Sequence, residues 1–292
     1  MERTNMLDNL EILPGEAFTA SEHIIEKVID KISNVVGWMI MPKGSKKYQL
    51  EAEAYLVEQI KNDSRMPELA KAACISSIRK LIREYRNQHN ILLIALNFLN
   101  SSANPDDVDE DWLSYFFDNA KNISKEEMAV IWGHILAREI NMPNQVPKSL
   151  IYILSVIDYE DAVSFGKLAN ISLQIENLYY PVVFLGMSDV YRKNELHMND
   201  IIRLESTNLI QYGEMPYEIS VSSQDKIKYF DECIDVGNEE KICIGNVILT
   251  KAGQALMPVI TDKRKIDGFE EFVREIILKD AGGIFDNVFE GQ

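Results

Sequence analysis

Apolar residues recur three and four apart over most of the first 170 positions, and that spacing predicts helices. The first begins at "TASE", where Thr19 and Glu22 have the spacing of a capping box. Its stripe runs through Ile24, Ile25, Val28, Ile29, Ile32, Val35, Val36, Met39 and Ile40 until "MPKG" (Met41–Gly44) stops it. A second helix is expected around "YQLEAEAYLVEQIK". The longest spans about Pro67 to Asn100, where Ile75, Ile78, Ile82, Tyr85, His89, Leu92, Leu96 and Leu99 alternate three and four apart. That is a heptad seam, on a helix roughly 50 Å long. Tyr85 and His89 make its middle less apolar than its ends, and a polar seam position can fix register or oligomeric state. Two readings stay open: the seam pairs with another copy, or the helix lies in an intrachain bundle with His89 near its edge.

The polar stretch "NSSANPDDVDED" precedes the next helix, with Asp109 as its N-cap. Trp112, Leu113, Phe116, Phe117 and Ala120 line one face of that helix. "NISKEE" then stops one helix and starts another, with Ser124 and Glu127 spaced as a second capping box. Within "MAVIWGHILARE", Met128, Ile131, Trp132, Ile135 and Leu136 form one stripe. At ~100° per residue His134 falls nearly opposite Trp132, on the wet face, whereas Glu139 falls inside the apolar stripe. A buried carboxylate needs hydrogen-bonding or charged partners, so Glu139 is expected to cap the helix near "VPKS" or to pair with an arginine. Two further helices follow in "NQVPKSLIYILSVI" and "DYEDAVSFGKLAN", the latter with Asp158 and Asp161 at N-cap and N3 spacing.

From Glu195 the texture changes. "NELHMNDIIRLESTNLIQYG" reads as two short helices or one bent one, followed by the β-rich "YEISVSS", "KIKYFDECIDVG" and "KICIGNVILT". Thr250 caps a restarted helix, and Phe269, Phe272, Val273, Ile276 and Ile277 give a last amphipathic one, closed by Gly282 and Gly283. Helix, helix and hairpin together look like a winged-helix module. A recognition helix over Asp200–Ile210 would offer DNA only Arg203 and His197, and the wing "DECIDVGNEEK" is acidic where phosphates would lie.

Charge sharpens this picture. The net charge is −16. Residues 1–100 hold 13 Lys+Arg against 13 Asp+Glu, residues 101–194 hold 7 against 14, and residues 195–292 hold 10 against 19. Such a surface disfavours nucleic acid at long range. The basic stripe is Arg79, Arg83 and Arg86 in "RKLIREYR"; its aromatic neighbour Tyr85 falls in the seam, so an acidic face of protein suits the stripe better than bases do. Asp106 to Asp111 lack the spacing and glycine of a calcium loop. Cys74, Cys233 and Cys243 read as idle thiols in a reducing compartment. No phosphate loop, nucleophile elbow or HExxH spacing occurs, so no catalytic, cofactor-binding or metal residue is assigned and no cofactor is expected. No run is long enough to span a bilayer, and Glu22–Met41 mixes acids with lysines on its polar face, so membrane partners rank low. No signal peptide is read at the N-terminus, and a cytoplasmic location is expected.

The segments "VDEDWLSYFFDNAKNISKEEMAVIWGHILAREI" and "KSLIYILSVIDYEDAVSF", with "IDKISNVVGWMIMPKG", "EAEAY" and "RNQHNI" upstream, resemble a bacterial family, domain of unknown function 2806. The resemblance covers about Ile29 to Ala169. It is carried by D-W-x3-F-F, S-x-E-E-M and W-x2-I-L-A-x-E; where the family usually reads "LAGE" and a glycine-serine-phenylalanine loop, this chain has "LARE" and "NMPNQVPKS". The resemblance implies no activity or catalytic residues. A more distant similarity to the abortive-infection alpha family implies a setting in phage defence.

The expected architecture is mainly α, with a helical region over 1–104 that contains the long heptad helix. A helical middle domain over 105–194 and a winged-helix-like α+β domain over 195–292 follow it. The leading function is a non-enzymatic cytosolic interaction protein that binds itself through the seam and another protein besides. A winged-helix DNA regulator ranks second and a membrane-directed effector third.

Overall fold

The computed structural model describes residues 20–37, 45–184, 189–222, 225–234 and 241–278. Among them it is mainly helical, with eleven α-helices, and its strands all lie after residue 171. The chain divides into two compact units, Met1–Ser155 and Val156–Gln292.

In the first unit, α1 (Glu22–Val36) starts at Ser21, whose side chain accepts the Ile24 N–H, rather than at Thr19, which lies outside the described residues. It also ends earlier than the stripe suggests. Gly37 adopts φ 77° and returns its N–H to the Ser33 carbonyl, a left-handed cap that closes the helix; Met39, Ile40 and "MPKG" lie outside the described residues. Ile25, Val28, Ile29 and Ile32 are buried, and α1 packs on α4 (Glu110–Ala120). The acidic approach to α4 is consumed locally. Asp106 accepts from Lys27 at 2.9 Å, Asp107 from Asn104 at 2.6 Å, and Asp109 caps α4 through the Trp112 N–H at 2.7 Å.

Helix α2 (Ser45–Asn62) packs on α3 (Glu68–Asn97), which runs for 30 residues after Pro67. The two halves of α3 differ. Up to Arg86 no residue is fully buried, whereas Ile91, Leu92, Ala95 and Leu96 are almost completely so. The second half packs on α5 (Glu126–Asn141), and Gly133 marks the crossing: a Cβ there would meet Ile94 Cγ2 at 2.4 Å. Lys125 precedes α5 without a side-chain cap, so the Ser124–Glu127 box does not form. Trp112 stacks on Phe116 and Phe116 meets Trp132 at a tilt, with centroids 5.2 and 5.1 Å apart, at the centre of this core. Helix α6 (Lys148–Val156) follows Pro147, whose carbonyl accepts from Leu150 N.

The second unit opens with α7 (Tyr159–Asn170), then a hairpin of β1 (Ser172–Ile175) and β2 (Leu178–Pro181) turning at Glu176, φ 53°. Helices α8 (Asp189–Lys193) and α9 (Met198–Ser206) follow, then β3 (Ile210–Ser220), β4 (Ile227–Tyr229), β5 (Glu232–Ile234) and β6 (Lys241–Leu249). Strands β2-β1-β4-β5 form one antiparallel sheet and β3-β6 a second. The helix expected over Asp200–Ile210 stops at Ser206, because Asn208 turns left-handed at φ 59° and Ile210 already pairs with Leu249. Thr250 caps α10 (Lys251–Leu256), and α11 (Phe269–Leu278) buries Phe269 and Val273. Gly282 and Gly283 lie outside the described residues.

Side-chain amides tie these pieces together. Asn170 donates to Asn194 at 3.0 Å and accepts from Arg264 N at 2.8 Å, while its carbonyl takes the Tyr229 hydroxyl at 2.9 Å. Gly245, at φ 93°, is demanded by the Val183 carbonyl, which would lie 2.0 Å from a Cβ.

Candidate interaction site

Helix α7 begins with a reciprocal cap: Asp158 accepts the Asp161 N–H at 3.0 Å and Asp161 accepts the Asp158 N–H at 2.8 Å. Helix α9 packs beside α7 and sends two polar side chains back to it. Arg203 reaches Glu160 at 2.8 Å, Asp161 at 3.1 Å and Asp158 at 3.5 Å. Asp200 takes the Ser164 hydroxyl at 2.7 Å, Lys167 at 3.2 Å and the His197 backbone N–H at 2.8 Å. Desolvation alone would raise the Asp200 carboxyl. The hydrogen bonds from Ser164, His197 and Lys167 outweigh it and hold the group below the ordinary carboxylate range.

Between the two helices lies a cleft of about 380 Å3, with Ser164, Lys167, Asp200 and Arg203 among its lining residues. Tyr159 and Val163 on α7 also line it and are exposed, 48% and 41%; Met198 and Ile202 on α9 are exposed too, 44% and 54%. Four carboxylates, Asp158, Glu160, Asp161 and Asp200, face two cations, Lys167 and Arg203, so the site carries a surplus of two negative charges. An apolar rim over an acidic, hydrogen-bonded floor suits a partner that is itself apolar and basic.

The sequence-derived candidates fall elsewhere. In the first half of the seam, Ile75, Ile78, Ile82 and Tyr85 are half-buried; in the second, His89, Leu92 and Leu96 are buried inside their own unit. His89 is thus not at an edge, and Tyr85 stacks on it with centroids 5.5 Å apart. On the basic stripe Arg79 pairs with Glu53 of α2 at 3.2 Å, while Arg83 and Arg86 are exposed. Glu139 is buried to 1% exposure and accepts the backbone N–H groups of Asn144 at 2.7 Å and Val146 at 2.8 Å, clamping the turn into α6. Burial pushes its carboxyl above the ordinary range, and the donors of Val146, Asn144 and Gln145 restrain the rise. His134 is not on a wet face: its ring is half-buried against Phe98, centroids 3.8 Å apart. Asp158, Asp161 and Arg203 each drew notice in the sequence, but only the packing of α7 on α9 brings them to one place. Ser164, Lys167 and Asp200 carried no local signal of partnership.

Among the described residues no group of three or more His, Cys, Asp and Glu could hold a metal ion. No helix among them is long and apolar enough to cross a membrane.

A family model described as a protein of unknown function, DUF2806, matches residues 76–274, so it starts later than the Ile29 end of the resemblance and runs past its Ala169 end. It spans the cleft, both sheets and most of α11. No curated protein matches the chain, and no solved structure does. The comparisons carry nothing on the abortive-infection alpha family.

Proposed function

We propose that this chain, which belongs to the DUF2806 family of proteins of unknown function, is a non-enzymatic cytosolic interaction protein that associates with itself and docks a further protein. The observation that carries this reading is where exposed apolar side chains gather. Leu50, Tyr55, Leu56, Leu69 and Leu81 stand out from the α2–α3 pair, Tyr159 and Val163 line the α7–α9 cleft, and Met198 and Ile202 are exposed on the outer side of α9. Large apolar side chains left exposed in this number are the material from which contact surfaces are built. Leu92 and Leu96 are spent on the core, so self-association falls to the outer surface of α2 and α3 and not to the whole heptad seam.

The order α7, strand, α8, α9, β3, β6 supports a winged-helix reading of the second unit. Used as a DNA reader, α9 would need a free cation. Its Arg203 is held by three carboxylates, and Met198, Ile202 and Glu205 face outward instead, which favours a protein partner. Nor does α1 favour a membrane role, since Ile25, Val28, Ile29 and Ile32 at the centre of its stripe are buried. The phage-defence setting rests on the resemblance alone.

Light scattering on the full chain over a hundredfold range of concentration tests the self-association. Mass should rise with concentration, and Leu69→Asp, at a position 83% exposed and so without cost to folding, should lower it. A monomer at every concentration overturns the reading.

A further inference from the structure

Two surfaces of this chain complement each other, and they lie in different units. The first is the outer face of α3. Between residues 79 and 86 it places Arg79, Lys80, Arg83 and Arg86 against a single acid, Glu84. Arg83 and Arg86 are exposed and have no ion-pair partner among the described residues. Leu69, also exposed, falls within ~40° of Arg83 around the helix, so one face presents an apolar side chain and then free cations.

The second surface is the α7–α9 cleft, with its apolar walls and surplus of two carboxylates. Glu160 is three-quarters exposed, at 75%, although it pairs with Arg203. A guanidinium shared among three acids leaves carboxylate lone pairs for another donor, and an arginine is the side chain built to take them in pairs. The unit around the cleft intensifies the field: residues 156–292 hold 13 Lys+Arg against 24 Asp+Glu. A basic helix face approaching this unit is therefore steered toward it.

We propose that the Leu69–Arg86 face of α3 in one copy docks into the α7–α9 cleft of a second copy, with Arg83 and Arg86 meeting Asp158 and Glu160 and the apolar side chains meeting Tyr159 and Val163. This rests on the self-association reading above and gives it a geometry. Each copy carries one donor face and one acceptor cleft, so the contact is heterologous, and it must close into a ring or run on into a filament. An isologous pairing of two α3 helices would instead stop at a dimer and would place basic stripes of like sign near one another.

The test uses two full-length variants whose changes sit on exposed side chains. In the stripe variant, Arg83→Glu is combined with Arg86→Glu; in the cleft variant, Val163→Lys repels an incoming arginine. Each alone should be a monomer by light scattering, with unchanged far-UV circular dichroism. Mixed in equal amounts they should form a dimer and nothing larger, because the intact cleft of one meets the intact stripe of the other. Association of the unaltered chain should weaken ~10-fold between 50 and 500 mM salt, as expected of exposed charge pairs. An oligomer that survives in the stripe variant, or two monomeric variants that ignore each other, overturns the docking and leaves self-association standing. A wild-type chain that is monomeric throughout overturns both.

Discussion

Two glycines inside helices should respond to the same substitution with opposite sign. On propensity alone, Gly→Ala within a helix gains ~0.8 to 1.0 kcal/mol. At Gly133 of α5 the new methyl would stand 2.4 Å from Ile94 Cγ2, 2.8 Å from Ile94 Cβ and 3.3 Å from the Ala95 nitrogen of α3. Carbons in contact prefer at least ~3.5 Å. Rotation about χ1 of Ile94 can carry Cγ2 away but not Cβ, so ~0.7 Å must come from parting the two helices. Overpacking of this kind costs ~1 to 3 kcal/mol, and the fixed position of Cβ places this case in the upper half. The net expectation for Gly133→Ala is a loss of about 1 to 2 kcal/mol. Gly166 of α7 meets nothing within 4 Å, so Gly166→Ala should gain ~0.5 to 1 kcal/mol. Urea unfolding followed by tryptophan fluorescence isolates the first effect, because all three tryptophans of the sequence, Trp38, Trp112 and Trp132, precede residue 156, where the second unit begins. The midpoint should fall at unchanged slope. A Gly133→Ala chain more stable than the parent by about 1 kcal/mol, as propensity alone requires, would refute the close crossing.

The buried acids give two further expectations. Asp200 is held below the ordinary carboxylate range, so the stability it supplies is present above the unfolded value near ~4 and is lost as pH falls through the lower folded value. Asp200→Asn should cost ~1.5 to 3 kcal/mol at pH 7, loosen α9 from α7, and flatten the acid limb of the stability curve; an unchanged acid limb would contradict this. Glu139 shifts the other way, so between its unfolded value and its raised folded value its contribution declines as pH rises. Glu139→Gln replaces one of two accepting oxygens by a donor that faces a backbone N–H and should cost ~1 to 3 kcal/mol. It should also open the turn at residues 142–147 to limited proteolysis, and equal protease resistance would count against the clamp.

Helices were legible where one apolar face is buried against one neighbour. The stripes of α1, α4 and α5 are the faces the core takes, and the caps at Asp109, Asp158 and Thr250 form as spacing predicts. Periodicity failed where it is silent about partners. The seam of α3 keeps one period from Ile75 to Leu99, yet its second half joins the core while its first half stays half-exposed beside α2. The helix ends depended on single left-handed residues, Gly37 and Asn208, that a stripe does not register. The β1–β2 hairpin escaped notice because its turn residues are Glu176 and Asn177, without the glycine that signals a two-residue turn. The cleft was illegible for a deeper reason. Asp200 lies 33 residues from Lys167 and Arg203 lies 43 from Glu160, and no local pattern encodes such meetings.

The state of the acids in the cleft bears on what it can do. A general base works best when its pKa sits near the working pH and a lone pair points at the substrate. Asp200 is driven away from that range, and its oxygens already take a hydroxyl, an ammonium and a backbone N–H. Glu139 is moved in the useful direction, but both its oxygens face backbone donors of its own turn and it lines no part of the cleft. Arg203, the residue best suited to steady a developing negative charge, is neutralised by three carboxylates before any substrate arrives. What the cleft offers is shape, apolar area, surplus negative charge and the His197 side chain at its edge. The first three are the properties through which a surface selects a basic partner.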